Sequence, residues 1–592
     1  MDRLFRSVFS SAVLTALFTT AAWPAIDIDL SVSGGDDALE DRLRTASRLY
    51  AANETEDVTA QDYAAAALAE YNTIVGVLYE EGYYGPNVSV RLDGNEASQL
   101  NPFRLPAEFQ SAQITVETGP RFVFREAEVG PLPDGTEPPA EFARGQDARL
   151  DVIRSTGQDA VDAWREVGYA KADLTGQRIV ADHPAEALDV SLGITTGPQL
   201  RFGRLAVENN RNVREERIRA IAGLPRGEIY DPALVADAST RLRNTGAFSA
   251  VAMREADEIR DGDTLDFTVN VVEAKPRRFG FGAELISDEG VTLSSFWMHR
   301  NILGGAEKLR FDVEVAGIGG TTGGEDVNLT TRFERPATFD PRNILFVQTA
   351  LERMNEPEYN SDQFRTDVGI LRRASDDLTV QYGVAFRRAT IEDSDGETSY
   401  SQLLFPVSAT YDKREGGSNA VGGYYLSGEV MPFYGLNDTP EGIRSTFDAR
   451  TYFSATETTV FALRGQLGFI EGAKAEDVPA DFQFYSGGGG TVRGQNYQSL
   501  GYNDGGGASF LGASLELRQG ITDAISAVGF VDYGFVGGEL GLDTEGEDHA
   551  GAGIGVRYNT PIGPLRLDVA TPMSGDDIGR EYEIYIGIGQ AF

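Results

Sequence analysis

The one conspicuous polar motif in this chain is an arginine set among glycines, Gly487-Gly488-Gly489-Gly490-Thr491-Val492-Arg493-Gly494. A glycine-rich run can cradle phosphate. That chemistry needs a Gly-Lys-Ser/Thr and a strand-loop-helix context, and neither is present. An arginine withdrawn from water instead calls for a carboxylate that accepts its fork of donors, and glycine flanks let the backbone approach a wall closely. Other chemistries find little to work with. There is no cysteine, which excludes disulfides, zinc-thiolate sites, iron–sulfur clusters and thiol nucleophiles. The three histidines, His183, His299 and His549, are far apart in sequence, which argues against a poly-histidine metal centre. Asp393-Ser394-Asp395-Gly396-Glu397 begins like a calcium loop but lacks the distal ligands, and reads as a hairpin turn. Gly551-x-Gly553-x-Gly555 sits in a strand pattern, and no Gly-x-Ser-x-Gly elbow occurs. The expectation is a non-enzyme with no catalytic residue, metal or cofactor.

The elements that must position Arg493 follow from the rest of the 592 residues, too many for one compact core. The net charge of −39 would be repelled by phosphate backbones, so no nucleic-acid partner is expected. Residues 1–25 carry two arginines and then a short apolar stretch rich in Ser, Thr and Ala, the pattern of a signal peptide. No later stretch approaches 18 uninterrupted apolar residues, so no spanning helix is expected.

From about residue 26 to 275 the sequence repeats. Thr118-Gly119-Pro120 recurs 78 residues on as Thr196-Gly197-Pro198, and Pro276 follows Pro198 at the same distance. Gly168-Tyr169 and Gly246-Ala247-Phe248 keep that spacing. Thr59 with Asp62 opens a first helix carrying Leu68, Tyr71, Val75 and Leu78; Thr156 with Asp159 opens a second; Asn212 with Glu215 and Asp231-Pro232 open two more. The reading is three β-α-α-β-β units, over 26–119, 120–197 and 198–275.

From 276 to 592 the period changes to two. Leu309, Phe311, Val313 and Val315 alternate with Arg310, Asp312 and Glu314, and Leu565, Leu567 and Val569 with Arg566 and Asp568. Alternation fits either a soluble sandwich or a transmembrane barrel with a wet lumen. Export, the lack of cysteine and a last strand ending in Phe592 favour the barrel, and the length allows about sixteen antiparallel strands. Asp288-Glu289-Gly290, Asp395-Gly396 and Asp504-Gly505 read as turns. Closure must pair a first strand near Arg278–Ser287, with Phe279 and Phe281, to a last strand Tyr582–Phe592, with Ile584, Ile586 and Phe592. Gly280 and Gly282 and the small or polar odd positions of the last strand make this the weakest seam.

Val492-Arg493-Gly494 with Tyr497 resembles the Val-Arg-Gly-aromatic signature of the POTRA-barrel superfamily that inserts or translocates outer-membrane polypeptides. Gln495 stands where that family usually has an aromatic. Phe530-Val531-Asp532-Tyr533-Gly534 is similar to its wall motif Phe-x-Asp-x-Gly. Further similar segments are Asn301–Gly304, Tyr411–Arg414 with Gly423–Leu426, and Gly553–Tyr558 with Pro561–Asp568. The resemblance implies a loop folded into the lumen, with Arg493 meeting Asp532 on the inner wall. It also implies POTRA units in the periplasm and a barrel in the bacterial outer membrane, in contact with its lipid. Three units and this length most resemble the translocation-and-assembly-module branch. That branch implies a TamB-like inner-membrane-anchored partner and unfolded, autotransporter-like outer-membrane clients. General assembly barrels usually have five units and two-partner secretion transporters two. A passive porin is the alternative of another class.

Overall fold

The computed structural model describes residues 26–592 except 56–57, 288, 395, 437–438, 504, 523, 540–544, 561–563, 575–577, 579 and 589–592. The expected signal peptide, the turn residues Asp288, Asp395 and Asp504, residues 561–563 and Phe592 lie outside the described residues.

Three small sheets precede the barrel, and each sets its last strand between its first and its second; the first sheet adds a two-residue edge strand, Asn95–Glu96. In the first, Asp27–Ser33 lies beside Ser111–Glu117, which lies beside Asn87–Leu92; in the second, Val123–Gly130 lies beside Ala187–Thr195 and then Asp173–Asp182. The outer pairing is parallel in both. The third runs Arg201–Glu208, Thr264–Glu273, Phe248–Arg260.

The helices depart from the expected β-α-α-β-β pattern in two of the three units. The first unit has three helices, Asp37–Ala46, Arg48–Asn53 and Ala60–Glu80. Thr59 and Asp62 form a reciprocal capping box on the last of these. The expected stripe holds in part: Leu78 is buried and Tyr71 packs against the core, but Leu68 is exposed, and Tyr63, Ala67 and Ile74 complete the buried face. Buried Glu70 accepts the amides of Arg48 and Leu49, capping the short preceding helix. The second unit has a single α-helix, Leu150–Glu166, which begins six residues before the expected cap at Thr156; Thr156 is buried within it. The third unit has helices Glu215–Ala222 and Pro232–Asn244, with proline opening the second. Arg214 is the N-cap of the first, not Asn212, whose amide groups are held by Glu273.

From Arg277 onward the strands close into a barrel in which every neighbour pairs antiparallel. Seventeen segments make sixteen strands. Gly396–Leu404 and Val407–Glu415 both pair with Leu378–Asp393 and with Gly422–Leu436, so they are two pieces of one strand. The break falls at Phe405-Pro406, where proline has no N–H for the ladder. Arg414 lies opposite Gly423 and pairs with Asp412 at 2.8 Å. Asn301–Gly304 lies in the turn after the second strand, not within it. Its Leu303 and Gly304 carbonyls accept from Arg214, seating the third unit's first helix.

Period-two patterning sorts the barrel wall. Phe311, Val313, Leu351, Val368 and Leu515 are exposed on the outer face, an apolar belt suited to lipid. The inner face carries ion pairs two residues apart on one strand: Arg310–Asp312 at 2.6 Å, Arg332–Glu334 at 2.7 Å and Arg450–Asp448 at 2.8 Å. No helix among the described residues is long and apolar enough to cross a membrane.

Candidate functional site

The eleventh strand, Thr459–Glu471, and the twelfth, Ser509–Gly520, are joined by the loop that holds the glycine motif. Isolated bridges Phe484–Gly507 and Ser486–Leu500 zip its two legs into a ribbon. Thr491 ties the turn by bonding the amide and carbonyl of Gly487. The ribbon carries Arg493 onto the inner wall, where the side chain is only 2% exposed.

Arg493 meets Asp532 on the thirteenth strand, Ile525–Gly537, in fork fashion: Nε donates to Oδ2 at 2.7 Å and Nη2 to Oδ1 at 3.0 Å. Its backbone amide adds a third bond to Oδ2. Nη1 donates to Glu516 on the twelfth strand at 2.7 Å, and Asp568 on the fifteenth, Leu565–Pro572, lies 3.6 Å away. The guanidinium stacks 3.6 Å over the Phe530 ring. Glu516 also holds Arg518, and Asp568 holds Arg557. Three cations thus face three carboxylates, a neutral set with every member buried. Such a cluster fixes position; its desolvation cost offsets much of its Coulomb gain.

All three residues of Phe530-x-Asp532-x-Gly534 serve this seat. Phe530 lies beneath the guanidinium and Asp532 accepts from it. Gly534 leaves room, since a Cβ there would lie 2.3 Å from Ser486 Oγ and 2.9 Å from Val492. Ser486 in turn bonds His549 at 2.8 Å. Gly494 has φ +90, and a Cβ on it would lie 2.7 Å from the Thr571 backbone. Gln495, at the position where an aromatic was expected, donates to the Ala550 carbonyl at 2.7 Å.

A second anchor holds the loop to another part of the wall, with the charges reversed. Asp481 of the loop pairs with Arg387 on the seventh strand, Leu378–Asp393; Arg387 also bonds Gln402 and Gln363 and lies over Phe482. The loop therefore gives a carboxylate to one wall and a guanidinium to another.

At the seam, the first strand, Arg277–Ile286, makes ten register pairs with the second. With the last strand, Glu583–Ile588, it makes two among the described residues, Leu285 with Ile586 and Ile286 with Tyr585. A Ser287 amide to Ile584 carbonyl bond continues this pairing, and Ser287 Oγ bonds Glu583. Ile584 and Ile586 face outward, like Phe279 and Phe281. Phe281 is 87% exposed. The last strand's inward face is better packed than its small residues suggest. Tyr585 is fully buried against Val528, Phe530, Ala570 and Ile286.

Sequence reasoning had named Arg493 and Asp532 but missed Glu516, Asp568, Tyr585 and the Arg387–Asp481 anchor. Strict alternation in Ser514-Leu515-Glu516-Leu517-Arg518 places Glu516 and Arg518 inward beside the leucines' outer face, a legible signal for Glu516. Tyr585 carries the same signal, since it alternates with the outward Ile584 and Ile586.

Residues 301–592 match the Omp85 superfamily domain, and residues 200–274 match the POTRA model described as a surface antigen variable number repeat. The barrel belongs to the Omp85 superfamily. Two curated relatives of this chain are described as outer membrane protein assembly factor BamA. One, from Neorickettsia risticii, is 22% identical over 417 residues, covering 65% of this chain and 54% of the relative. The other, from Nitratidesulfovibrio vulgaris, is 21% identical over 464 residues, covering 74% and 56%. The chain therefore spans about half the length of the curated relatives it matches. Among solved structures, BamA from Haemophilus ducreyi lacking POTRA domains 1–3 superposes with a TM-score of 0.60 at 17% identity, covering 79% of this chain and 99% of that one. CdiB from Acinetobacter baumannii gives 0.51 at 13%, covering 80% and 90%. These likenesses show the fold. The Omp85 barrel lies in the outer membrane, with POTRA structure in the periplasm.

Proposed function

We propose that this protein inserts or translocates other outer-membrane polypeptides, opening its barrel between the first and last strands to do so. The observation that carries this reading is the closure itself: in a barrel whose residues 301–592 match the Omp85 superfamily domain, the first strand meets the last directly, Leu285 beside Ile586 and Ile286 beside Tyr585. An opened edge leaves N–H and C=O groups unpaired within the bilayer, where another strand is the partner best able to satisfy them. A client strand supplies that partner, and the exchange of one ladder for another needs no external energy source. A passive pore is disfavoured by the loop, which lies within the lumen between two buried charged anchors.

The finer assignment is a TamA-like subunit. Its support is the repeated order of the three sheets, each with its last strand between its first and second, read as three POTRA units over 26–119, 120–197 and 198–275. On this reading a TamB-like inner-membrane-anchored protein docks on the first unit, autotransporter-like barrels are the clients, and POTRA sheet edges receive client strands by β-augmentation. A general BamA-like assembly role is the second reading, supported by the two curated relatives. The chain contains no cysteine, so one pair can be introduced cleanly. Leu285→Cys with Ile586→Cys places the pair at directly opposed, outward-facing positions. Cross-linked protein should lose client insertion in reconstituted vesicles and regain it on reduction. Insertion at the reduced rate while cross-linked would reject the gate.

A further inference from the structure

The lumen loop does not stop at the wall that holds Arg493; it crosses the seam. On the last-strand side the Gly494 amide donates to the Tyr585 hydroxyl at 3.0 Å. On the first-strand side the Gly489 amide donates to Glu289 Oε1 at 3.2 Å, in the turn joining the first and second strands. At Gly489 the backbone passes close over the closing pair. A Cβ at Gly489 would sit 3.3 Å from the Tyr585 ring and 3.4 Å from Ile286, the two residues that face each other across the seam. A Cβ at Gly488 would lie 2.8 Å from Glu289 Oε1, so the glycine run is what lets the loop come this close.

We propose that the glycine loop is a staple across the seam, with Glu289 and Tyr585 as its positioning residues on the two sides. This rests on the reading of the seam as the client gate, and deepens it. The strands also pair directly, Leu285 with Ile586 and Ile286 with Tyr585. Separating the strands with the loop seated must also strand the Gly489 or the Gly494 amide without an acceptor. A buried donor left unsatisfied costs more than the bond was worth. Loop displacement and strand separation are therefore one event. A client entering the lumen from the periplasmic end opens the gate by lifting the loop rather than by pulling the strands apart.

The test reads the seam directly, without a client. Nitroxide labels on Phe281→Cys and Leu567→Cys, on the first and fifteenth strands, report the distance across it. The protein is reconstituted in phosphatidylethanolamine and phosphatidylglycerol vesicles, and heat-modifiable mobility checks that each variant is folded. Glu289→Ala and Tyr585→Phe should each raise the ratio of open to closed distances roughly five- to thirtyfold. Glu289→Gln, which keeps an acceptor oxygen, should stay near the wild-type ratio, a rescue that a merely structural role would not show. Because a staple cut at one leg is already released, the double variant should open no further than the larger single. Two independent contacts would instead add. Tyr585→Phe removes one oxygen and keeps the buried ring, so it reads the proposal even if Glu289→Ala fails to fold. Unchanged distances in the folded variants, or additive effects, would overturn the staple and leave the gate standing. Wider opening with client insertion unchanged throughout would keep the staple and overturn the gate.

Discussion

Replacing Arg493 with alanine tests the lumen seat most severely. The side chain faces Asp532, Glu516 and Asp568, whose other cations are Arg518 and Arg557, and none of the six is more than 5% exposed. Removing the guanidinium turns a balanced set of three cations and three carboxylates into a buried site with one excess negative charge. Breaking a buried pair in this way costs about 3–5 kcal/mol. The barrel ladders are untouched, so the loss falls on seating of the loop. At about 1.4 kcal/mol per decade, the seated population should fall by at least roughly a hundredfold. Two measurements check this in proteoliposomes: protease cleavage within 487–498, which should appear in the variant, and the rate at which a client barrel reaches its heat-modifiable form, which should fall. Simple charge reversal is a weak rescue here, because an acid at 493 would still face Glu516 and Asp568. The neutral double variant Arg493→Met with Asp532→Asn is the better partner, since it restores two cations against two carboxylates. It should recover on the order of 2 kcal/mol relative to the sum of the singles. An unchanged client rate in Arg493→Ala would refute the functional role of the seat. A double variant equal to the sum of its singles would refute the pairing itself.

Three further outcomes follow from the geometry. Glu356, in the turn after the fifth strand, accepts from the Tyr497 hydroxyl of the loop. Burial first, then the neighbouring Asp326 and Glu289 charges, push its carboxyl up to about 7. A raised acid binds its proton more tightly in the seated state, so its stabilising contribution is present below the ordinary carboxylate range and is lost as pH rises through about 7. The loop should therefore seat more firmly at pH 5 than at pH 8, by on the order of 2–3 kcal/mol. Label mobility at Gln498 reads this, and persistence of the pH dependence in Glu356→Gln would exclude Glu356 as its source. Gly494→Ala puts a Cβ 2.7 Å from the Thr571 backbone at φ +90, and should unseat the loop while leaving the barrel folded. A loop as protected as wild type would contradict that. Thr59→Ala removes one half of the capping box and should cost the first unit about 1 kcal/mol in chemical unfolding, with client insertion in detergent-free vesicles unaltered by any change in the barrel. A shift of the barrel transition would contradict it.

Local patterns and the 78-residue spacing carried much of this structure into the sequence, and the exceptions have physical causes. Alternation of Leu309 through Val315 marked the lipid face because a strand sorts its side chains at period two whatever it pairs with. The long helix of the first unit was legible at its capped end, Thr59 and Asp62, and only in part in its buried face. There alanine and Glu70 take positions that a hydrophobic stripe assigns to leucine. The Thr156 cap failed because a Thr-x-x-Asp signal cannot tell a helix start from a helix already six residues old.

The site divides along sequence distance. Arg493 and Asp532 are 39 residues apart, and both sit in short motifs with unusual composition. Gly494 and Tyr585 are separated by 91 residues, Glu289 and Gly489 by 200, and no local rule connects them. Their one trace is in the glycines: a Cβ at Gly489 would crowd Tyr585 at 3.3 Å and Ile286 at 3.4 Å, and one at Gly488 would lie 2.8 Å from Glu289 Oε1. The glycine run is thus better read as the footprint of a close crossing than as flexibility. A loop that must clear two strands at van der Waals distance is most constrained where its sequence looks most permissive.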